Sequence, residues 1–272
     1  MSDSPIAIIL TGPGINCDHE LARAFELAGA SPRFVHLSEL MAEPARLDEA
    51  DLIGLPGGFS YGDAIAAGRV FAQMIRQHLY PAFVRAIERG APMIAPCNGF
   101  QIAVQAGLLP GPDADSPWPI EPAAPCVTLT SNASARFIDR WCRIEVPVNT
   151  RCVWTKDLKL TAASAMLPIA HGEGRFVPDV DSRLTRLEQA GQIAVRYAAD
   201  DNPNGSAGDV AGICDASGLI FGLMPHPERY TTWSQHPLWS RLNEADRQEE
   251  PPGLAMFRRA VSHVVGAAAL RA

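Results

Sequence analysis

The sequence lacks an excess of positive charge, and it lacks a long apolar run. Its formal net charge is −7, with 23 Lys and Arg against 30 Asp and Glu. A nucleic-acid-binding surface needs a basic cluster, and none is present, so binding to nucleic acid is not expected. No apolar stretch approaches the roughly 20 residues of a membrane span, and residues 1–5 lack the basic start of a signal peptide. These absences predict a cytoplasmic protein that does not enter the membrane.

Paired cysteine spacings and phosphate-binding motifs are also missing. The six cysteines show no C-x-x-C spacing, which argues against a zinc site or a disulfide framework. The P-loop pattern G-x-x-x-x-G-K-[ST] is absent. The turn Gly12-Pro13-Gly14 carries Cys17 where a dinucleotide-binding fingerprint would have its third glycine. We therefore predict no metal and no cofactor in this chain.

Short apolar runs alternate with helical patterns over the first hundred residues. The predicted strands include 6–10, 33–37, 52–55 and 92–96, and the predicted helices include 64–78 and 81–89. Such alternation predicts an α/β fold with a mostly parallel sheet and helices on both faces. From residue 126 onward, strand patterns follow one another, which predicts an added antiparallel region.

A proline-rich stretch separates these two parts of the sequence. Six prolines fall within residues 110–125, which predicts an extended surface insertion without regular structure. The length of 272 residues, with 47% hydrophobic residues, allows one large domain or two small ones. We predict a single domain over residues 1–272.

Cys97 is the first candidate for chemistry. It ends the apolar run 93–96, and a helical pattern follows at once. A cysteine at such a turn stands off the carboxyl edge of the sheet, where open α/β folds bind ligands. The positive end of the following helix favours the thiolate, which is the nucleophilic form of sulfur. Cysteine is also among the most buried residue types, so position alone leaves an inert core role open.

His226 and Glu228 are the candidate partners of this cysteine. The apolar run 219–224 leads into His226, which Pro225 and Pro227 flank and hold on a rigid loop. Two residues apart in extended backbone, His226 and Glu228 would lie on the same side. The carboxylate could then bind one ring nitrogen and leave the other for the sulfur, as in a catalytic triad. Without Cys97, a surface ion pair would explain the two residues as well.

A glycine-rich loop supplies the third part of the candidate site. Gly57 and Gly58 directly follow the strand 52–55, and paired glycines let backbone N–H groups turn towards a developing oxyanion. The N–H of Asn98 could supply a second donor. The alternative is an ordinary glycine-rich turn between a strand and a helix.

Pro-Gly-Gly, Cys-x-Gly-x-Gln and His-Pro-Glu, in this order, resemble the class I (triad) glutamine amidotransferases. Five longer sequences narrow the resemblance to the glutaminase subunits of phosphoribosylformylglycinamidine synthases, over nearly the whole chain. They are PGGFSYGD (56–63), CNGFQ (97–101), AHGEGR (170–175), NPNGS (202–206) and MPHPER (224–229). The resemblance implies a flavodoxin-like sheet. It also implies hydrolysis of glutamine to glutamate and ammonia through a thioester on Cys97, as part of purine biosynthesis.

The resemblance also assigns further residues and partners. Gly57, Gln101 and Asn132 are expected to bind glutamine, Asn132 because LTSNASARF (129–137) matches a segment near the bound substrate. The expected site wall or partner contact comprises Phe59, Tyr61, Asp63, His171, Glu173 and Arg175. Ammonia would pass to a separate synthetase subunit that holds ATP and magnesium. Whether a small third subunit joins this assembly is left open.

Two other functions remain possible from the sequence. The chain could be a catalytically silent glutaminase-like module that only binds and positions a synthetase, although the intact Cys97, His226 and Glu228 speak against this. It could also be a different cysteine hydrolase or chaperone with a related α/β fold. Those proteins lack a His-Pro-Glu sequence near the C-terminus, which this chain has.

Overall fold

The computed structural model describes residues 4–247 and 249–271. The strands are β1 (Ile6–Thr11), β2 (Ser31–His36), β3 (Leu52–Gly54), β4 (Met93–Pro96), β5 (Val127–Thr130), β6 (Ile138–Glu145), β7 (Met166–His171), β8 (Arg175–Pro178), β9 (Ile193–Tyr197), β10 (Val210–Cys214) and β11 (Ile220–Leu223). The helices are α1 (Asp18–Ala28), α2 (Leu37–Ala42), α3 (Arg69–Met74), α4 (Tyr80–Glu88), α5 (Asn98–Gln105), α6 (Asp181–Gln189) and α7 (Pro252–Arg271).

Nine strands form the main sheet in the order β2-β1-β3-β4-β11-β10-β9-β6-β7. The first five are parallel neighbours, and the strands from β11 to β7 pair antiparallel. A separate antiparallel pair consists of β5 and β8. The predicted α/β class, with a mostly parallel sheet and an added antiparallel region, is confirmed.

Helices cover both faces of the sheet. Successive residues of its strands point to opposite sides, and apolar side chains stand on both of them. In β1, Ile8 and Leu10 belong to one buried cluster, while Ala7 and Ile9 belong to the other. The first cluster contains side chains of α3, α4 and α5, and the second contains side chains of α1 and α7. The predicted arrangement of helices on both faces is therefore confirmed.

The helix predicted over residues 64–78 begins later than expected. Asp63, Ile65 and Gly68 have φ values of 52°, 73° and 73°, and a right-handed helix cannot include such residues. From Arg69 the chain is helical through α3, a π-helical turn over Ile75–Leu79, and α4. The two predicted helices, 64–78 and 81–89, were expected to be separate, but the described chain continues from one into the other. Pro81 is tolerated because it falls in the first turn of α4, where no N–H donor is needed.

Residues 110–125 form the predicted segment without helix or strand. The Arg76 guanidinium donates hydrogen bonds to the carbonyl oxygens of Pro122 and Ala123 at 2.9 and 3.0 Å. Trp118 packs edge-on against Tyr80, with ring centroids 6.4 Å apart. The segment is thus attached to the helical layer at a few points. Across the described part of the chain, no helix is both long and apolar enough to cross a membrane.

Candidate active site

Cys97 lies on a sharp turn between β4 and α5, as predicted from the sequence. Its backbone has φ 52° and ψ −111°, a conformation that costs an L-residue on the order of 1–3 kcal/mol. Its N–H donates to Leu223 O of the neighbouring strand at 2.7 Å. A methyl group on Gly99 would overlap the carbonyl oxygen of Leu55, so this glycine lets the turn pack directly against the end of β3. The strained turn is therefore fixed from both sides.

His226 and Glu228 form a buried pair close to this turn. The distance from His226 Nδ1 to Glu228 Oε1 is 2.6 Å, and the two residues are 2% and 3% exposed. Their backbone is not extended as expected, because Pro227 begins a single 3-10 turn over residues 227–229. The pair forms nevertheless. The other ring nitrogen, Nε2, is buried and has no hydrogen-bond partner among the described residues.

The charge of His226 reflects its neighbours more than its burial. Burial alone would lower the pKa of His226, but attraction to the Glu228 carboxylate and to the Cys97 sulfur raises that pKa to about 10. A methyl group on Gly57 would lie 3.1 Å from His226 Cε1 and 3.4 Å from Cys97 Cβ, so the two side chains converge over this glycine. The structure thus brings the three residues of the predicted triad together.

The loop after β3 leaves a backbone donor available. The carbonyl oxygen of Gly57 accepts hydrogen bonds from Asn16 N–H and Cys17 N–H at 3.4 and 3.3 Å. In a trans peptide the N–H of the next residue points the opposite way, so these bonds also fix the Gly58 N–H. Neither this N–H nor that of Asn98 has an acceptor within the described residues. Their predicted use as oxyanion donors stays a prediction that this geometry permits.

The free edge of β7 forms another side of the site. Pro168 O accepts the backbone N–H of His226 at 2.8 Å, and Ala170 O lies 3.6 Å from the Cys97 sulfur. Among the described strands, β6 is the single neighbour of β7 in the main sheet, and both carbonyl groups turn away from it. Sequence reasoning missed this contribution, because main-chain groups of an edge strand leave no signature in residue type.

Asn98 and Gln101 use their side chains to hold the walls of the site. Asn98 Oδ1 accepts from Ser60 N–H at 3.1 Å, and its Nδ2 donates to Gln101 Oε1 at 2.9 Å. Gln101 Nε2 donates in turn to Glu173 O at 2.6 Å. The amide of Gln101, expected to bind glutamine, is thus engaged with protein atoms on both sides. This chain of bonds connects α5 to the glycine-rich loop and to the loop after β7.

His171 and Asn132 form a second buried pair. The distance from His171 Nδ1 to Asn132 Oδ1 is 3.0 Å, and the residues are 3% and 2% exposed. Asn132 Oδ1 also accepts from Gly174 N–H, while its Nδ2 donates to Arg136 O and His171 O. These four bonds engage the Asn132 amide, and its predicted contact with substrate stays a prediction. Burial and repulsion from His226 lower the pKa of His171 to about 4.

The other predicted wall residues surround these two pairs. Phe59 is 47% exposed and stacks on Phe137 at 6.3 Å. Asp63 lies 3.4 Å from Asn98 Nδ2, and burial raises its pKa. Glu173 Oε2 accepts from Ala67 N–H at 3.3 Å. Tyr61 donates its N–H to Pro13 O, and Arg175 lies farther along, at the start of β8. Their roles stay predictions.

Cys17 lies close to the site but is suited to packing. Arg229 Nη2 lies 3.1 Å from its sulfur, and burial together with the nearby Glu228 raises the pKa of Cys17 to about 12. Donor atoms of Cys17, His226 and Glu228 lie within 4.8 Å of one another, which is a possible spacing for metal ligands. The adjacent guanidinium and the protonated thiol both oppose a cation there.

The arrangement has the parts needed for acyl transfer through sulfur. It places a thiol on a strained turn, an oriented imidazole next to it, and two backbone N–H donors that have no acceptor in the described part of the chain. Such a site can attack a carbonyl or carboxamide carbon and stabilise the resulting oxyanion.

Comparison with known proteins gives consistent matches along the chain. The model of the CobB/CobQ-like glutamine amidotransferase domain matches residues 4–264. Phosphoribosylformylglycinamidine synthase subunit PurQ of Dehalococcoides mccartyi is 42% identical over 260 residues, covering 93% of this chain and 95% of that protein. The PurQ subunit of Treponema denticola is 37% identical over 277 residues, covering 96% and 99%. The structure of PurLQS from Thermotoga maritima aligns with a TM-score of 0.68 at 32% identity, covering 95% of this chain and 98% of that chain.

Proposed function

The chain belongs to the glutamine amidotransferase family, and we propose that it is the glutaminase subunit of a phosphoribosylformylglycinamidine synthase. The family resemblance read from its motifs is confirmed by the family model and by the PurQ relatives. The observation that carries the proposal is the buried His226–Glu228 pair, which converges with Cys97 over Gly57. A silent binding module would not need a strained cysteine turn beside an oriented imidazole.

In the proposed reaction, His226 takes the proton of the Cys97 thiol. The Glu228 carboxylate fixes the imidazole through Nδ1 and stabilises its positive charge. The raised pKa of His226 favours this charged form at neutral pH. The thiolate then attacks the side-chain carboxamide carbon of glutamine, and His226 donates its proton to the amide nitrogen, which leaves as ammonia when the C–N bond breaks.

Negative charge collects on the former amide oxygen during the attack. The N–H groups of Gly58 and Asn98 would stabilise it, and the loss of one such donor costs about 3 kcal/mol of transition-state stabilisation in comparable sites. A glutamyl thioester on Cys97 remains. Water, deprotonated by His226, then releases glutamate.

A synthetase subunit is the proposed consumer of the ammonia. The chain lacks a P-loop sequence, so the proposal assigns ATP and magnesium to that partner and no cofactor to this chain. It further treats residues 1–272 as one glutamine amidotransferase domain that works in the cytoplasm. The name PurLQS of the related Thermotoga structure supports an assembly of this kind.

The proposal is tested by reconstitution with the synthetase encoded by the same genome, glutamine, ATP, magnesium and formylglycinamide ribonucleotide. Glutamate release is measured for the wild type, for Cys97→Ala, and for Cys17→Ala as the matched control, since both cysteine side chains lie against Gly57. We expect Cys97→Ala to lose at least a hundredfold in rate, and Cys17→Ala to lose less than tenfold.

The same assay separates the alternatives. Amidine formation with added ammonium salt reports whether the variant still assembles with an active synthetase. Equal glutamate release by the wild type and Cys97→Ala would reject the enzyme and leave a binding module. Glutamine hydrolysis without any dependence on the synthetase would favour a different cysteine hydrolase. Activity that requires a further small subunit would identify the third component.

A further inference from the structure

His171 is held as firmly as the proposed catalytic histidine, although the mechanism above does not use it. Asn132 binds one edge of its ring through Nδ1. Gly174 lies so close to the ring that a methyl group there would overlap it. The hairpin that follows β9 supports this loop from outside, because Asn204 Nδ2 donates to Gly174 O at 2.8 Å. These contacts fix the position of the His171 ring closely, which is unexpected for a side chain that has no role in the mechanism.

The hydrogen bonds around Asn132 also fix where the His171 ring carries its proton. Asn132 Nδ2 faces two carbonyl oxygens, Arg136 O and His171 O, both at 2.8 Å, so the amide has only one favourable orientation. Its oxygen therefore faces His171 Nδ1 and can only accept a hydrogen bond. Nδ1 must carry the hydrogen, which leaves a lone pair on Nε2.

Within the residues that the structure describes, that lone pair faces no hydrogen-bond donor. Nε2 of His171 is buried and makes no hydrogen bond within the described ranges 4–247 and 249–271. A buried acceptor without a donor costs on the order of 1–3 kcal/mol, so a donor from water or from a ligand is expected at this atom. The loop around it belongs to the active site, since Ala170 O lies 3.6 Å from the Cys97 sulfur and Glu173 O accepts from Gln101.

We propose that His171 is a further substrate-contacting residue whose Nε2 accepts a hydrogen bond from the carboxamide N–H of glutamine. This inference rests on the proposed glutaminase function and adds a group that recognises the nitrogen about to leave. The carboxamide is the only part of the substrate that offers an N–H at the reacting carbon. An acceptor there favours an amide substrate over an ester, because an ester has no hydrogen to donate.

Substrate entry requires a small opening of the site in any case. Cys97 is itself only 6% exposed. The half-exposed Phe59 and Phe137 stack on each other and connect the glycine-rich loop to the segment before β6.

The test compares two substrates that differ in the leaving group, glutamine and glutamate γ-methyl ester, in the complete complex with the synthetase. His171→Leu removes the acceptor, and His171→Gln can restore it through its side-chain oxygen. We expect His171→Leu to lose roughly tenfold or more in kcat/KM for glutamine and no more than about twofold for the ester. We expect His171→Gln to recover part of the glutamine activity.

If His171 had a merely structural role, its replacement by leucine would lower kcat/KM equally for both substrates. That result, or an unchanged kcat/KM with glutamine, would overturn the inference. Amidine formation from added ammonium salt shows that each variant folds and assembles. Failure of the proposed function gives a different result, because the wild type itself would then not hydrolyse glutamine in the complex.

Discussion

Two buried histidines at the site, His226 and His171, share one feature of their surroundings and differ in another. His226 and His171 are 2% and 3% exposed, and each offers Nδ1 to an oxygen and leaves Nε2 without a partner among the described residues. The oxygen belongs to a carboxylate in one case and to an amide in the other. The pKa of His226 is raised to about 10, whereas that of His171 is lowered to about 4.

The difference shows that burial does not decide the charge of an imidazole in this site. Burial lowers the pKa of both rings, and their charged neighbours distinguish them. Glu228 and Cys97 raise the pKa of His226, whereas His226 lowers that of His171 further. A carboxylate makes His226 a proton carrier, while an amide makes His171 a neutral acceptor. The two rings also reinforce each other, since the charge on His226 keeps a second charge off His171.

The largest expected effect comes from giving His226 the kind of partner that His171 has. Glu228→Gln removes the counter-charge, so burial should lower the pKa of His226 and leave the imidazole neutral at pH 7. We expect glutamine hydrolysis by the reconstituted complex to fall by at least a hundredfold, while synthesis from added ammonium salt persists.

The control for this substitution is Glu20→Gln. Glu20 forms an exposed ion pair with Arg229 at 3.3 Å, and such a pair is worth at most about 1 kcal/mol. Its replacement should change the rate less than fivefold. If Glu228→Gln stayed within tenfold of the wild type, the role assigned to the carboxylate would be wrong.

A smaller effect is expected from disturbing the packing around His171. Gly174→Ala places a methyl group into the imidazole, and we expect a loss of about 1–3 kcal/mol in the free energy of unfolding, because the ring or the loop must move. Gly172→Ala is the matched control, since its methyl group would lie 3.8 Å from the nearest atom, Phe137 Cδ2.

Urea unfolding of the two alanine variants measures this difference. Gly172→Ala should stay within about 0.5 kcal/mol of the wild type. Equal stabilities for the two variants would mean that the loop moves freely, and that His171 is less firmly held than its contacts indicate.

The smallest effect concerns stability and pH. The pKa of His226 in the folded chain, about 10, lies above the ordinary value of 6.5, so its stabilising contribution is complete below about pH 6.5 and is lost as pH rises towards 10. Glu228→Gln should lack most of this contribution. We expect its stability difference from the wild type to shrink by at least about 1.4 kcal/mol, one pKa unit, between pH 7 and pH 10. A constant difference across this range, measured by chemical unfolding, would contradict the assignment of charge.

The sequence allowed the fold class and the three proposed catalytic residues to be predicted, because both depend on local patterns. Strand and helix periods alternate before Cys97, and His226 and Glu228 are only two residues apart. The start of α3 was misplaced, since nothing in the residue types of 64–68 requires the positive φ of Ile65.

The hydrogen-bond partners of the site residues could not be predicted in this way. Asn132 and His171 are separated by 39 residues, and their pairing depends on how β5, β7 and the loops after them are placed. The contribution of β7 is made by main-chain carbonyl groups, which every residue type shares. The substrate contacts of Gln101 and Asn132 stay predictions, and the protein atoms that their amides bind lie far away in the sequence.

His226 should be charged while His171 is neutral, and nitrogen NMR of the histidine rings in the isolated chain tests this difference most directly. The chain has seven histidines, and the signals that disappear in His171→Gln and in His226→Gln assign the resonances of these two rings. We predict that His226 carries hydrogen on both ring nitrogens at pH 7.5, while His171 carries it on Nδ1 alone from pH 5.5 to pH 9. A neutral His226 at pH 7.5, or a His171 that holds its hydrogen on Nε2 or on both nitrogens, would contradict this account.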